Sequence, residues 1–319
     1  MINCTIIVNT YPRTSRSKDL TLCLNSLKKQ VFFNFSVVIV ENATNPAEVK
    51  KIINKCQLHQ NITIICDVSK KLSHLFNIGW KAAQTEYIAF LADDAEAEPE
   101  WLKNSILLLD TDKKIGIVTG PVISICYPAG EMHRLYLISQ NNWLFRLLSW
   151  PILYFVYENS ILKPGYLCES MAYSLGTSLE EARHFKRQEI DLATTTSMAI
   201  KKQVLTKLNG FDETFNFNHA DGDLFIRTKK NHYKIIFDPH IVVHHHVRLG
   251  PSRSPHYIGY DTALFLKRYL RPRTIRGTMG ALLNVTIQNA YWLYATFRTR
   301  RLTQLKGIQG FIFGLIAHS

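Results

Sequence analysis

Two pairs of aspartates and one run of histidines stand where side-chain chemistry is costly to leave unused. Asp93 and Asp94 close an apolar run in IAFLADDAEAEPEWL, residues 88–102, and Asp221 and Asp223 lie two apart in FNHADGDLFIR, residues 217–227. A buried strand that ends in adjacent carboxylates needs a compensating cation, proton or substrate. Such a pair can place oxygens around one hard cation, Mg2+ or Mn2+, and leave positions for diphosphate oxygens. Asp221 or Asp223 can take the proton of an acceptor hydroxyl, and Gly222 lets the chain turn closely there. The plainer roles are turn or capping aspartates before Pro99 and favourable charge at a helix N-terminus. His244, His245 and His246 follow an apolar strand, and alternation sends His245 one way and its neighbours the other. Imidazole suits a further ligand to Mn2+, a counterweight to phosphate, or a structural hydrogen bond. Lys201, Lys202, Arg227, Arg248 and Arg253 are candidate diphosphate partners, and the first two also fit a solvated helix face.

The elements that must position these groups alternate between strand and helix. Cys4–Val8 reads as a buried β-branched strand opening into the loop NTYPR. Leu20, Leu24 and Leu27, with Cys23, recur at helical spacing. Strands are expected at 35–40, 62–65, 87–91 and 116–120, with helices at 48–56, 72–83 and 101–109 between them. Residues 127–190 resist placement, apart from a helix expected over 178–186 because Ser178 and Glu181 resemble a capping box. A strand over 193–200, a helix over 201–208 stopped by Gly210, a helix over 224–230 and short β segments around Pro239 complete the catalytic half. Alternation with short links predicts a mainly parallel sheet covered on both faces. Ligands gather at the carboxyl ends of such strands. Asn9–Arg13, Glu41–Asn42 and Asp93–Asp94 all fall at that edge.

A chain of 319 residues buries a real core as one large domain with an appendage or as two small domains. Its formal charge of +13 is uneven: from Arg248 onward there are eleven Lys or Arg and one acid, Asp261. Long apolar and aromatic stretches accompany that charge, ALLNVTIQNAYWLYATF and GIQGFIFGLIA. Nucleic-acid surfaces are polar and positive, so an anionic membrane surface is expected rather than nucleic acid. The six cysteines form no close pair, which argues against zinc sites and a disulfide framework and fits a reducing cytoplasm. The N-terminus reads as a strand, and no signal peptide is expected. The nearest candidate for a membrane span, WLFRLLSWPILYFVY at 143–157, is short and interrupted by Arg146 and Pro151. It reads as a surface-lying or core segment.

The chain resembles the family 2 glycosyltransferases, inverting enzymes with the GT-A nucleotide-sugar-binding fold. The likeness runs from about residue 2 to 246. It is carried by IIVNTYPR, LTLCLNSLKKQ, VVIVENAT, NIGWKAA with TEYIAFLADD, SMAIKKQVLTKLNGFDETF, ADGDL and PHIVVHH. The resemblance implies an α/β GT-A fold over 1–250, with a nucleotide-sugar part at 1–125 and an acceptor and base part at 126–250. A basic, amphipathic helical extension follows at 251–319. It implies nucleotide contacts from Thr10, Tyr11 and Arg13, a base contact from Glu41 in the place of an aspartate, and donor-site roles for Asn77 and Asp93. Asp94 and His245 would hold Mn2+ or Mg2+, and Asp221 would be the catalytic base. Three positions depart from the family pattern: Ala92 and Ala220 replace acids, and Phe76 replaces an arginine.

The expected reaction is a single displacement from a nucleotide-diphosphate sugar, UDP- or dTDP-linked, to a hydroxyl of a saccharide. The acceptor is expected to be lipid-linked at the cytoplasmic face of the cell membrane, in synthesis of a surface polysaccharide or glycan. Assembly with further copies of the chain stays open. The rival classes are a nucleotidyltransferase, which would release pyrophosphate, and an inactive membrane-bound sugar-nucleotide-binding protein. No Walker pattern or zinc-finger spacing promotes an ATPase or a nucleic-acid reader.

Overall fold

The computed structural model describes residues 4–11, 17–58, 60–69, 71–128, 130–247 and 254–317. The chain divides into two compact units. The first comprises Met1–Tyr127, Thr177–Glu213 and Asp221–Arg248, and the second Pro128–Gly176, Thr214–Ala220 and Leu249–Ser319. Residues 128–176 therefore belong with the C-terminal helices, a different division from one boundary near residue 250.

In chain order the first unit opens with β1 (Cys4–Thr10), α1 (Ser17–Lys28), β2 (Phe35–Glu41), α2 (Ala47–Cys56), β3 (Asn61–Cys66) and α3 (Leu72–Ala82). It continues through β4 (Tyr87–Leu91), β5 (Ala95–Ala97), α4 (Trp101–Thr111), β6 (Ile115–Thr119) and β7 (Val122–Ile125). After α5 (Glu131–Asn141) and α6 (Trp143–Pro151) of the second unit come β8 (Gln188–Glu189), β9 (Ser197–Lys201), α7 (Lys202–Leu208) and α8 (Ala220–Lys230). The first unit closes with β10 (Lys234–Phe237) and β11 (Val243–His246). The last helices are α9 (Pro255–Tyr269), α10 (Ile275–Thr299) and α11 (Lys306–Ile316).

Among the described residues the main sheet has the order β3-β2-β1-β4-β9-β6-β10-β8. β1, β2, β3 and β4 pair in parallel, as do β6 and β10. The sheet is nonetheless mixed rather than mainly parallel, because β9 is antiparallel to both β4 and β6, and β8 to β10. The cause is the long excursion after β7. The chain re-enters from the opposite edge, so that Ser197, the first residue of β9, meets Leu91, the last of β4. One face of the sheet is sealed by α1, α2 and α4 through Leu20, Leu24, Leu27, Val49, Trp101 and Leu109, against Ile6, Val8, Val37 and Ile39. The expected helix over 178–186 is two short 3-10 turns instead, Gly176–Ser178 and Glu180–His184. A second sheet, β5-β11-β7, is built on β11.

In the second unit α9 and α11 approach through glycines. A Cβ at Gly259, Gly310 or Gly314 would collide with a backbone carbonyl of the facing helix or of Gly307. Glu169 Oε2 caps α10 by accepting from the Arg273 and Thr274 amides. No helix among the described residues is long and apolar enough to cross a membrane.

Candidate active site

The site is built at one edge of the main sheet, where β1, β2 and β4 end. In-register parallel pairing aligns Thr10 with Glu41 across β1 and β2. The Thr10 hydroxyl donates to Asp93 Oδ2 at 2.8 Å, which joins the first loop to the acidic turn. That turn is closed by the Ala95 amide donating to Ala92 O at 3.1 Å, so Asp93 and Asp94 are its two central residues. Asp93 is buried. Tyr11 follows β1 directly and is half-buried, whereas Arg13 lies outside the described residues.

Glu41 and Asn9 are the anomaly of this edge. Glu41 is fully buried, and among the described residues neither carboxylate oxygen has a partner. Burial pushes its carboxyl above the ordinary range, and the negative charge of Glu48 adds to the effect. Both polar atoms of the Asn9 amide are likewise buried and have no partner among the described residues. An unmet buried acceptor costs about 1–3 kcal/mol, and more when charged. Two such groups at the carboxyl ends of neighbouring strands mark a place shaped for a ligand rich in N–H and O–H groups. Asn9 was not singled out in the sequence as a site residue. It belongs to the polar edge, but only its orphaned amide distinguishes it.

The second sheet sorts the three histidines as alternation predicts. His245 pairs with Ala95 on β5 and Ser124 on β7, while His244 and His246 face the other way. On that other side His244 Nε2 lies 3.0 Å from Glu98 Oε1, and His246 Nε2 meets Glu96 Oε1 at 2.5 Å. Arg183 donates to the same Glu98 oxygen at 2.8 Å. Burial pushes the Glu98 carboxyl up, but the hydrogen bonds and charges of Arg183 and His244 outweigh it and hold the group below its usual range. His245 is left on the opposite side with Asp94: its Nε2 is 3.3 Å from Asp94 Oδ1, and the two side chains keep 24% and 20% of their exposure. The Ser124 hydroxyl beside it is buried with no partner among the described residues. One carboxylate and one imidazole in reach of solvent fit a divalent cation that keeps most of its positions for substrate oxygens and water. Among the described residues no group of three or more His, Cys, Asp or Glu could hold a metal on its own.

Asp221 lies in the first turn of α8. Its Oδ1 accepts from the Gly222 amide at 2.9 Å and its Oδ2 from the Thr195 amide at 3.5 Å. The adjoining residue Thr196 accepts from the Ala92 amide at 3.1 Å. The short segment Thr194–Thr196, delivered by the antiparallel entry of β9, thus touches both acidic elements. Consecutive residues are about 3.8 Å apart, so this contact chain holds the two acidic elements within a span on the order of 10 Å. Asp223 has a different task. It is buried and holds Arg227 Nε at 2.7 Å, while the Arg227 guanidinium also donates to Leu208 O and Gly210 O.

Several expected ligand contacts are redirected by such internal bonds. Arg227 is committed to Asp223 and the end of α7. Lys201 Nζ donates to Asp112 O and Lys202 Nζ to Ala83 O, so neither is free to meet a diphosphate. Arg248 and Arg253 lie outside the described residues. Asn77 is buried with both amide hydrogens given to Phe211 O and Glu213 Oε1, and its Oδ1 accepts from Trp80 Nε1 and the Phe211 amide. Its amide has no capacity left for a nucleotide. It joins α3 to the segment after α7, where Gly210 has φ +68° and a Cβ would strike Asn77 Oδ1 and Trp80 Nε1. Phe76, in the place of an arginine, stacks on Phe211 at 4.9 Å and meets Phe90 edge-on. Arg183 went unnoticed in the sequence because it falls in the stretch without periodicity, and Thr194–Thr196 because the strand expected over 193–200 begins only at Ser197 and leaves them as a loop.

This fold and this arrangement of carboxylates agree with a model of the Glycosyl transferase family 2, which matches residues 5–176. The match covers more than half of the chain, and the chain belongs to that family. Among solved structures it is similar to TarS 1-349 of S. aureus in complex with UDP-GlcNAc, with TM-score 0.59 and 17% identity over 98% of this chain and 82% of that one. It is also similar to the mannosyltransferase PcManGT of Pyrobaculum calidifontis in complex with GDP-Man and Mn2+, with TM-score 0.54 and 16% identity over 98% and 87%. These likenesses establish the GT-A fold, here with a mixed central sheet and C-terminal helices. A comparison with curated proteins by sequence gave no match.

Proposed function

We propose that this family 2 glycosyltransferase moves a sugar from a nucleoside-diphosphate donor, UDP- or dTDP-linked, to a saccharide hydroxyl by one inverting displacement, with Asp221 as base. The observation that carries the reading is the Thr194–Thr196 segment, which touches Asp221 through the Thr195 amide and the turn of Asp93 and Asp94 through Ala92. Asp221 is half-buried in the first helical turn, where two amides hold its carboxylate in place to accept the hydroxyl proton. Glu41 and Asn9, with Thr10 and Tyr11, form the nucleotide end. The unpartnered carboxylate of Glu41 suits the N–H groups of a base. Asp93, fixed by Thr10, suits the ribose or sugar hydroxyls. Asp94 and His245 would hold Mn2+ or Mg2+, whose charge would offset the negative charge that grows on the leaving diphosphate.

The acceptor we propose is a lipid-linked saccharide at the cytoplasmic leaflet, in synthesis of a cell-surface glycan, with the basic helices of 251–319 against the membrane. The eleven cations and single acid from Arg248 onward support that reading.

Asp221→Asn is expected to lower transfer, read as nucleoside diphosphate released in the presence of acceptor, by about 10²–10⁴-fold while donor affinity holds. Retained turnover would remove Asp221 from the base role. Asp94→Asn is expected to weaken Mn2+ binding about 10–100-fold, measured by electron paramagnetic resonance of the free ion. His246→Gln, on the other side of the same strand, should leave Mn2+ binding unchanged.

A further inference from the structure

The second unit carries a helix that buries nothing. None of the nine residues of α6 is buried. Trp143 is 77% exposed, Leu147 63%, Leu148 67% and Trp150 52%. Trp143, Leu147 and Trp150 are spaced i, i+4 and i+7, so they share one face, with Leu144 and Leu148 on the adjoining stripe. Aromatic side chains such as Trp143 and Trp150 cover roughly 150–250 Å2 each. Together they leave several hundred Å2 of apolar surface, the upper end of what a monomer exposes. The neighbouring helix α5 adds Leu137 and Ile138, both exposed.

Three observations select the occupant. First, no acid occurs from residue 132 to 157, where Arg134 and Arg146 are the only Lys or Arg. Second, the far end of the helix is aromatic and cationic: Trp150 stacks on Tyr154 at 5.1 Å, and the Arg276 guanidinium covers Tyr154 at 4.3 Å and donates to its carbonyl. Arg271 and Arg273, close by in sequence, are exposed. Third, nine residues rise only about 14 Å, half of what a span needs. A short, exposed, acid-free helix with tryptophan at both ends and arginine beside them matches the boundary between lipid headgroups and acyl chains.

We infer that α6 lies in the surface of an anionic bilayer and inserts Trp143, Leu147 and Trp150 below the headgroups. The inference deepens the membrane reading given above and rests on it for the nature of the surface. The chain supplies its own probe, since Trp80, Trp101 and Trp292 are buried and only Trp143 and Trp150 are well exposed. The protein is mixed with vesicles of phosphatidylcholine, alone or with phosphatidylglycerol, whose acyl chains carry bromine. With phosphatidylglycerol present, tryptophan emission should shift to the blue and be quenched. The quenching should vanish in Trp143→Phe/Trp150→Phe, which keeps the helix apolar. Leu147→Glu/Leu148→Glu should lower vesicle partition about tenfold or more while nucleotide affinity and the circular dichroism spectrum stay those of the parent. Parent-like vesicle binding by the Leu147→Glu/Leu148→Glu variant would overturn the role of α6 and leave a membrane contact elsewhere in the chain. Absence of binding to both vesicles would overturn both. A concentration-dependent dimer that this double variant dissolves, without any quenching by bromine, would assign the face to a second copy and overturn the inference as well.

Discussion

Glu41, in the first unit, and Asp261, in the second, are both fully buried carboxylates, and burial pushes both carboxyl groups upward. Their surroundings are opposites. Asp261 accepts from the backbone amides of Asn216, Phe217 and Asn218 and from the Asn216 side chain, all between 2.7 and 3.0 Å. One turn later on α9, Phe265 stacks on His219 at 4.5 Å, and burial lowers that imidazole to about 4. Asp261 is therefore a clamp, complete without a ligand. Among the described residues nothing donates to the Glu41 carboxylate. A buried charge that is fully bonded holds a loop, and a buried charge left bare waits for a partner.

The comparison breaks first at Asp261. Asp261→Ala leaves three backbone amides without their acceptor and is expected to cost about 3 kcal/mol or more. At about 2–4 °C per kcal/mol for a chain of this size, Tm should fall on the order of 6–12 °C. Calorimetry checks this. A shift within 2 °C or so would mean the loop has other supports. Asn77→Ala comes next. It removes one amide that makes four internal bonds and should cost about 2–3 kcal/mol. If Asn77 met the donor instead, the variant would keep its Tm and lose nucleotide affinity, and titration calorimetry with the nucleoside diphosphate separates the two outcomes.

The same contrast shows what a sequence can carry. β1, β2 and β4 were legible because short continuous apolar runs, rich in β-branched or aromatic residues and ending in polar ones, read as strands buried on both faces. The division of the histidines was legible from strand alternation, which sends His245 to the side opposite His244 and His246. The direction of β9 was not, since SMAIK reads alike from either end and antiparallel entry is decided by the excursion before it. Ser178 and Glu181 look like a helix start, yet 3-10 turns form, because Arg183 turns to Glu98 and Glu180 rather than continuing a regular face. Arg227 and Asn77 were offered to a substrate because their partners, Leu208, Gly210 and Phe211, gave no sign in the sequence of pointing their carbonyls inward. Which polar residue is saturated and which is bare is a property of distant backbone, and no local pattern announces it.

The smallest effect is the sharpest test of the contrast. Glu41→Gln removes a charge with no partner, so the ligand-free variant should be more stable than its parent by about 1 kcal/mol at neutral pH. The sign with pH follows from the raised pKa of Glu41. A carboxyl with a raised folded pKa favours the folded state fully below its unfolded pKa, and that contribution is lost as pH rises through the folded value. Glutamine does not titrate. The advantage of the variant should thus be largest at neutral pH and shrink as pH falls through the raised pKa toward the ordinary carboxylate range. Saturating nucleoside diphosphate should reverse the order, because a base that gives its N–H groups to Glu41 stabilises the parent more than the variant. Thermal melts over a pH series, with and without the nucleotide, read all of this in one experiment. A variant less stable than the parent at neutral pH, with no gap in nucleotide response, would mean that Glu41 is held by the fold as Asp261 is, and that the nucleotide base binds elsewhere.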